Sequence, residues 1–190
     1  MSAIELRIKN QLKMKKLTEY IQNLRFAYAI SYSGLRGEKF EGLVNKNKAK
    51  IQQIEKQIES ARFMQIPKLK KEIKILNDEI NIHNSRVIKK NGEFHNSAQQ
   101  IHRFEKGSQE LRTIFEILNS KNEAQVAVTC TPVFRDSIVF YSKEDTIIGI
   151  LQICFSCARI TNENEEALNV NYKIFEILKK QLILIGHPIK

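Results

Sequence analysis

Apolar residues in the first half of the chain recur with a helical period. Ile4, Ile8, Leu12, Leu17, Ile21, Leu24 and Tyr28 fall three to five residues apart, which predicts an amphipathic helix with a kink near Met14. Ser31, Ser33, Gly34, Gly37 and Gly42 then break the pattern and read as a turn or linker. A second run, Ile51, Ile54, Ile58 and Ala61, has the a/d spacing of a coiled coil, and a third, Ile66, Ile73, Leu76, Ile80 and Val87, resumes it around Pro67. Counting by sevens from Ile51 lands on Gln65 and Glu72, one residue short of the apolar positions, so the phase slips at Pro67. Proline lacks an N–H that the first turn of a helix does not use, so the segment is either one bent helix or two joined by a tight corner. The stripe from about Val44 to Lys89 is too narrow for a buried core helix. It must pack along another helix, in cis against Ile4 to Tyr28 or in trans in a dimer, through Ile51, Ile54, Ile58, Ile73, Leu76, Ile80 and Val87.

The period changes after Gly92. Ser97 and Gln100 have the spacing of a capping box, and Ile101, Phe104, Leu111, Phe115 and Leu118 continue one apolar face, so a helix is expected from Ser97. Runs rich in Val, Ile, Phe and Thr predict strands at Gln125 to Thr131, Ser137 to Ser142 and Thr146 to Cys157, the last two joined across Lys143, Glu144 and Asp145. Thr146 to Cys157 is apolar on both faces and is expected to be the central, most buried strand. A last helix is predicted from Asn162, with Glu165 three residues on, the stripe Leu168, Phe175, Leu178 and Leu182, Lys179 and Lys180 toward its end, then Gly186 and Pro188. The pattern predicts an α+β protein, an N-terminal helical hairpin or coiled coil followed by a small helix, three-stranded antiparallel meander, helix unit. The expected division is a basic helical arm over residues 1–92 and a compact α+β domain over 93–190.

Charge follows that division. Residues 1–92 carry 20 Lys and Arg against 9 Asp and Glu, net +11, whereas residues 93–190 carry 11 against 12, net −1. A basic arm suits an anionic partner, nucleic acid or anionic lipid. Lys9, Lys13, Lys15, Lys16, Lys46, Lys48, Lys50, Lys68, Lys70, Lys71 and Lys74 are the candidate polyanion contacts. Lysine outnumbers arginine 22 to 9, however, so a compositional bias explains the same excess and a solvated lysine face is the plainer reading. Aromatic residues that could stack on bases are sparse in this half, which favours loose backbone contact over sequence readout. No run of eighteen apolar residues predicts a membrane span, and Met1 to Asn23 is laced with cations where an export signal would be apolar. A cytoplasmic location is the expectation, although a mature exported form with its leader removed would read the same.

Three cysteines, an odd count in a chain large enough to hold a core, argue for reduced thiols and against a disulfide framework. Cys130, Cys154, Cys157 and His187 supply four soft donors for a tetrahedral Zn²⁺. Residues three apart on a strand face opposite ways, so Cys154 and Cys157 meet one metal only if the chain bulges at Ser156, and buried thiols are the simpler reading. A C-x-x-C redox site needs a helix directly behind it, and the next predicted helix starts at Asn162. His83, His95 and His102 show no metal-ligand spacing. Arg135, at the corner before the Ile138 to Tyr141 strand, is a candidate anion contact, while Asp136 beside it reads as a turn cap. With no G-x-S-x-G, phosphate loop or H-E-x-x-H, no general acid or base, resident metal or cofactor is nominated.

Cys130, then Arg-Asp-Ser-Ile-Val-Phe-Tyr at Arg135 to Tyr141, then Ile-Cys-Phe-Ser-Cys at Ile153 to Cys157, resembles a hairpin signature of small bacterial proteins. In that signature a Cys precedes an Arg-His-x-Ile-Val-Phe-Tyr-Asp strand, and an Ile-Cys-Phe-x-Cys strand follows. The likeness covers about 28 residues, Cys130 to Cys157. Asp136 stands where the signature often has His, and Ser142 where it has Asp, which weakens any metal or acid/base role at that corner. The resemblance implies a shared hairpin and no particular activity. The expected function is a non-catalytic protein-interaction module, binding a protein partner or a second copy through its helices. Polyanion binding by the basic half is the alternative, and an enzyme of unmarked class the second.

Overall fold

Asp136–Tyr141 is buried at every position, which a strand reaches only when both of its faces are covered. In the computed structural model, which describes residues 17–81, 86–89, 91–120, 130–168 and 170–189, this segment is the middle strand of a five-stranded antiparallel sheet. The strands are β1 (Tyr28–Gly34), β2 (Ala98–Glu105), β3 (Asp136–Tyr141), β4 (Ile147–Cys154) and β5 (Arg159–Thr161), in the spatial order β2-β1-β3-β4-β5. Five helices accompany them among the described residues: α1 (Leu17–Asn23), α2 (Glu38–Ser60), α3 (Ile66–Ile80), α4 (Gln109–Leu118) and α5 (Ile174–Leu184). The chain thus adopts the expected α+β class, with a larger sheet than the three-stranded meander.

Alternation along the strands sorts the core into two layers. Ala29, Ile138, Phe140, Leu151 and Ile153 face α1, α4 and α5, which cover them with residues such as Leu17, Ile21, Ile114 and Leu178. Tyr28, Ile30, Val139, Tyr141 and Ile150 face the other way, under Val87 and Ile88. The register keeps each layer continuous, with Ala29 opposite Phe140 and Ile138 opposite Leu151 in the first, and Val139 opposite both Ile30 and Ile150 in the second. The Tyr28 and Tyr141 rings stack at 5.0 Å. Tyr20 pins α1 to β4, since its hydroxyl accepts from Ile150 N–H at 2.9 Å and donates to Glu163. Burial, reinforced by Glu163, pushes the Tyr20 pKa up and keeps that donor proton in place.

Where elements differ from expectation, a tertiary partner has outweighed local pattern. Tyr28–Gly34, read as a helix end and turn, is a strand paired on both sides. Ser31 and Ser33 are buried in it, and Ser33 donates to Asp136 at 2.9 Å, so these small polar residues serve the interior. The helix expected from Ser97 starts only at Gln109, where Ser108 Oγ accepts from Leu111 N–H. Ala98–Glu105 is instead the edge strand on β1, and Gly107, at φ +82°, turns the chain into α4. The strand expected from Gln125 lies mostly outside the described residues, and Cys130 and Thr131 belong to no strand. The central strand is β3 rather than β4, because beyond β4 lies only the three-residue β5. Asn162 caps a loop and not a helix: its Oδ1 accepts from Asn164 and Glu166 N–H, Leu168 N–H bonds Ile160 O, and α5 begins at Ile174. The boundary expected at residue 92 does not divide the sheet, since β1 pairs with β3 and the α2–α3 pair is inserted between β1 and β2.

A Cβ on Gly149 would lie 2.7 Å from Leu24 Cδ2 and 2.9 Å from the Tyr20 hydroxyl. Gly149→Ala should therefore lower the unfolding free energy by about 1–3 kcal/mol. Gly42 sits in α2 with open space where its Cβ would be, so Gly42→Ala should raise it by about 1 kcal/mol. Urea denaturation of the two variants reads the opposite signs.

Candidate functional site

The α2–α3 arm is held together by its own apolar stripe. Ile51 and Ile54 pack on Leu76, with Ile58, Leu69, Ile73 and Ile80 around them. The stripe is thus closed between α2 and α3 and not against Ile4 to Tyr28, whose described helix α1 packs on the sheet instead, and the phase slip near Pro67 is the turn between two helices, with Pro67 in the first turn of α3. Val87 does not extend the stripe. It is fully buried against the sheet beside Ile88, because the chain after α3 crosses the second face of the sheet. In the turn at the end of the arm, Phe63 and Met64 are 84% and 86% exposed. Lys46, Lys48 and Lys50 on α2 and Lys68, Lys70, Lys71 and Lys74 on α3 are all exposed, and Lys50 reaches across to Glu72 at 2.8 Å. Lys9, Lys13, Lys15 and Lys16 lie outside the described residues.

Two buried carboxylates fix the root of the arm. Glu79, near the end of α3, is 1% exposed; it pairs with Lys89 and accepts from Asn96 N–H at 3.2 Å. His95 Nδ1 accepts from Ser97 N–H at 3.0 Å, which puts the ring proton on Nε2, 3.2 Å from Glu79 Oε2. Burial holds the His95 pKa below its ordinary 6.5, with Glu79 opposing and Lys89 assisting. The second carboxylate is Asp136, also 1% exposed, at the head of β3. Its Oδ1 accepts from Ser33 Oγ and from His187 Nδ1, each at 2.9 Å, and its Oδ2 is taken by Arg36, the residue two before α2. His187 is brought there by Gly186 at φ +103°, and its N–H bonds Leu182 O at 3.0 Å.

Arg135, singled out from the sequence, stands beside this cluster with its guanidinium 5.5 Å over the Phe40 ring. Burial, then the Arg36 charge, lowers its pKa, and Asp136 offsets part of that. Arg36 and Arg135 line two clefts, one of about 770 Å³ toward Gly37 and Lys39, the other of about 450 Å³ toward Lys179 on α5. Sequence reasoning found Arg135 and took Asp136 for a turn cap. It missed Arg36, read Ser33 as turn and His187 as a zinc donor, because their meeting at Asp136 joins distant stretches of chain and leaves no local signal.

Cys130 and Cys157 are bonded to each other with their Cα atoms 6.0 Å apart, so the expectation of reduced thiols is corrected for that pair, while Cys154 is a buried free thiol. The chain reverses between β4 and β5, and that turn carries Cys157 beside the segment entering β3. The four zinc donors are thereby dispersed: two cysteines bond each other, and His187 serves Asp136. Among the described residues no group of three or more His, Cys, Asp or Glu is placed to hold a metal. Nor is any described helix long and apolar enough to cross a membrane.

Fold and surfaces together define an antiparallel α+β protein with a helical hairpin inserted between two neighbouring strands. No family model matches the chain, and no curated protein or solved structure matches it.

The His95 environment has a consequence in acid. Its pKa is lower folded than unfolded, so the unfolded chain binds the proton more readily and stability falls as pH drops through about 6.5. Unfolding free energies from urea titrations between about pH 5 and 8 should show this loss, and His95→Gln should flatten that part of the profile.

Proposed function

We propose that the chain is a non-catalytic protein-interaction module whose arm meets its partner at the tip. Phe63 and Met64 carry this reading, since folding leaves both almost fully in water at the turn between α2 and α3. Burying one such side chain is worth about 1.5–3 kcal/mol, whereas an exposed ion pair contributes about 0–1 kcal/mol. Affinity therefore concentrates at the tip rather than on the lysine faces. The stripe already being spent between α2 and α3 favours tip contact over a coiled coil shared with a second chain. At 1.5 Å per residue, the 23 residues of α2 span about 34 Å, enough to hold the tip clear of the sheet. The exposed lysines of both helices support a second reading, loose polyanion binding through the arm.

Affinity capture with the wild-type chain should retain a discrete protein, and Phe63→Glu combined with Met64→Glu should weaken that binding by about 100-fold or more. Both positions are exposed, so the double variant keeps its far-UV circular dichroism. Lys68→Glu with Lys70→Glu should weaken it by less than about tenfold. Undiminished capture by the tip variant would end the tip reading, and steeply salt-dependent binding to RNA or DNA, lost in the lysine variant, would put the polyanion reading in its place.

A further inference from the structure

We propose that the cleft between the head of β3 and α5 binds a small organic oxyanion, a carboxylate or phosphate monoester carried on an apolar body. The cleft, of about 450 Å³, has the volume of a small-molecule site. Its lining divides chemically. Val133, Ile153, Phe155 and Ile189 form apolar wall, while Arg36, Arg135 and Lys179 bring cations to it.

The charges inside are not mutually satisfied. Both oxygens of Asp136 are engaged by Ser33, His187 and Arg36, so its carboxylate is spoken for. Arg135 is half-buried and rests on Phe40, and among the described residues no carboxylate reaches ion-pair distance of it or of the half-buried Lys179. Glu176, one turn before Lys179 on α5, is the other carboxylate on the cleft and is exposed to solvent. A guanidinium partly removed from water gains most from an acceptor that can take two of its N–H groups, and an oxyanion does so. The apolar wall then selects among oxyanions by what they carry. This site lies at the arm's root, about 34 Å from the tip along α2, and does not depend on the tip's role.

Calorimetric titration of the full chain tests it with four probes: phenyl phosphate, benzoate, inorganic phosphate and phenol. At least one aromatic anion should bind with a dissociation constant of about 1 mM or tighter, and inorganic phosphate and phenol about tenfold more weakly or worse. The tighter of the two aromatic anions identifies the headgroup. Arg135→Gln should weaken binding about tenfold or more, with Lys179→Gln carrying the test if the Arg135 variant loses its fold, and Arg112→Gln on α4 should change nothing. No saturable binding of either aromatic anion up to about 10 mM, or unchanged affinity in folded Arg135→Gln and Lys179→Gln, would overturn the proposal and leave Arg135 as a cover for Phe40.

Discussion

A carboxylate taken out of water has to be met by donors, and Asp136 is met from three remote stretches of the chain at once. Ser33 comes from the end of β1, Arg36 from the lead into α2, and His187 from beyond α5. The head of the central strand, the root of the arm and the C-terminal segment therefore converge on one group. Removing Arg36 would leave the buried carboxylate without its ion-pair partner, at a cost of about 3–5 kcal/mol. Arg36 is consumed in this joint, and that leaves its neighbour Arg135 to lie over Phe40 and face the clefts.

The arm repeats the logic at its other root. Glu79, with Lys89 and His95, fixes the end of α3 as Asp136 and Arg36 fix the start of α2. Between these anchors the two helices share a small core around Ile51, Ile54 and Leu76, and beyond it toward the turn only half-buried Ile58 and Leu69 remain. Local stability declines with the density of buried contacts, so the arm is firm where it leaves the sheet and least constrained at Phe63 and Met64. That gradient suits a surface that adapts to a partner while its position is held.

What was legible in the sequence was what depends on near neighbours. The arm's stripe follows a helical period, so Ile51, Ile54, Ile73 and Leu76 were legible as one apolar stripe, while its partner, expected in Ile4 to Tyr28 or a second chain, is the stripe's own other half across Pro67. The β3–β4 hairpin was legible for the same reason, with alternating apolar residues across Lys143 to Asp145 and Asp145 itself at φ +59° in the turn. Arg135 was found because it stands at a visible corner.

The sequence by itself determined the α+β class, the helical period of the arm's stripe, the basic first half and the apolar strand pair, all of which follow from spacing and composition over short windows. Tertiary structure alone decided that Tyr28–Gly34 is a strand, that Ala98–Glu105 closes an edge, that Cys130 meets Cys157, and that Asp136 is a joint. The physical reason is the same in each case. Ser33 and Gly34 are turn-formers in isolation, and Asp136 is a cap. Both become interior residues once partners roughly a hundred residues away supply the hydrogen bonds that water would otherwise provide.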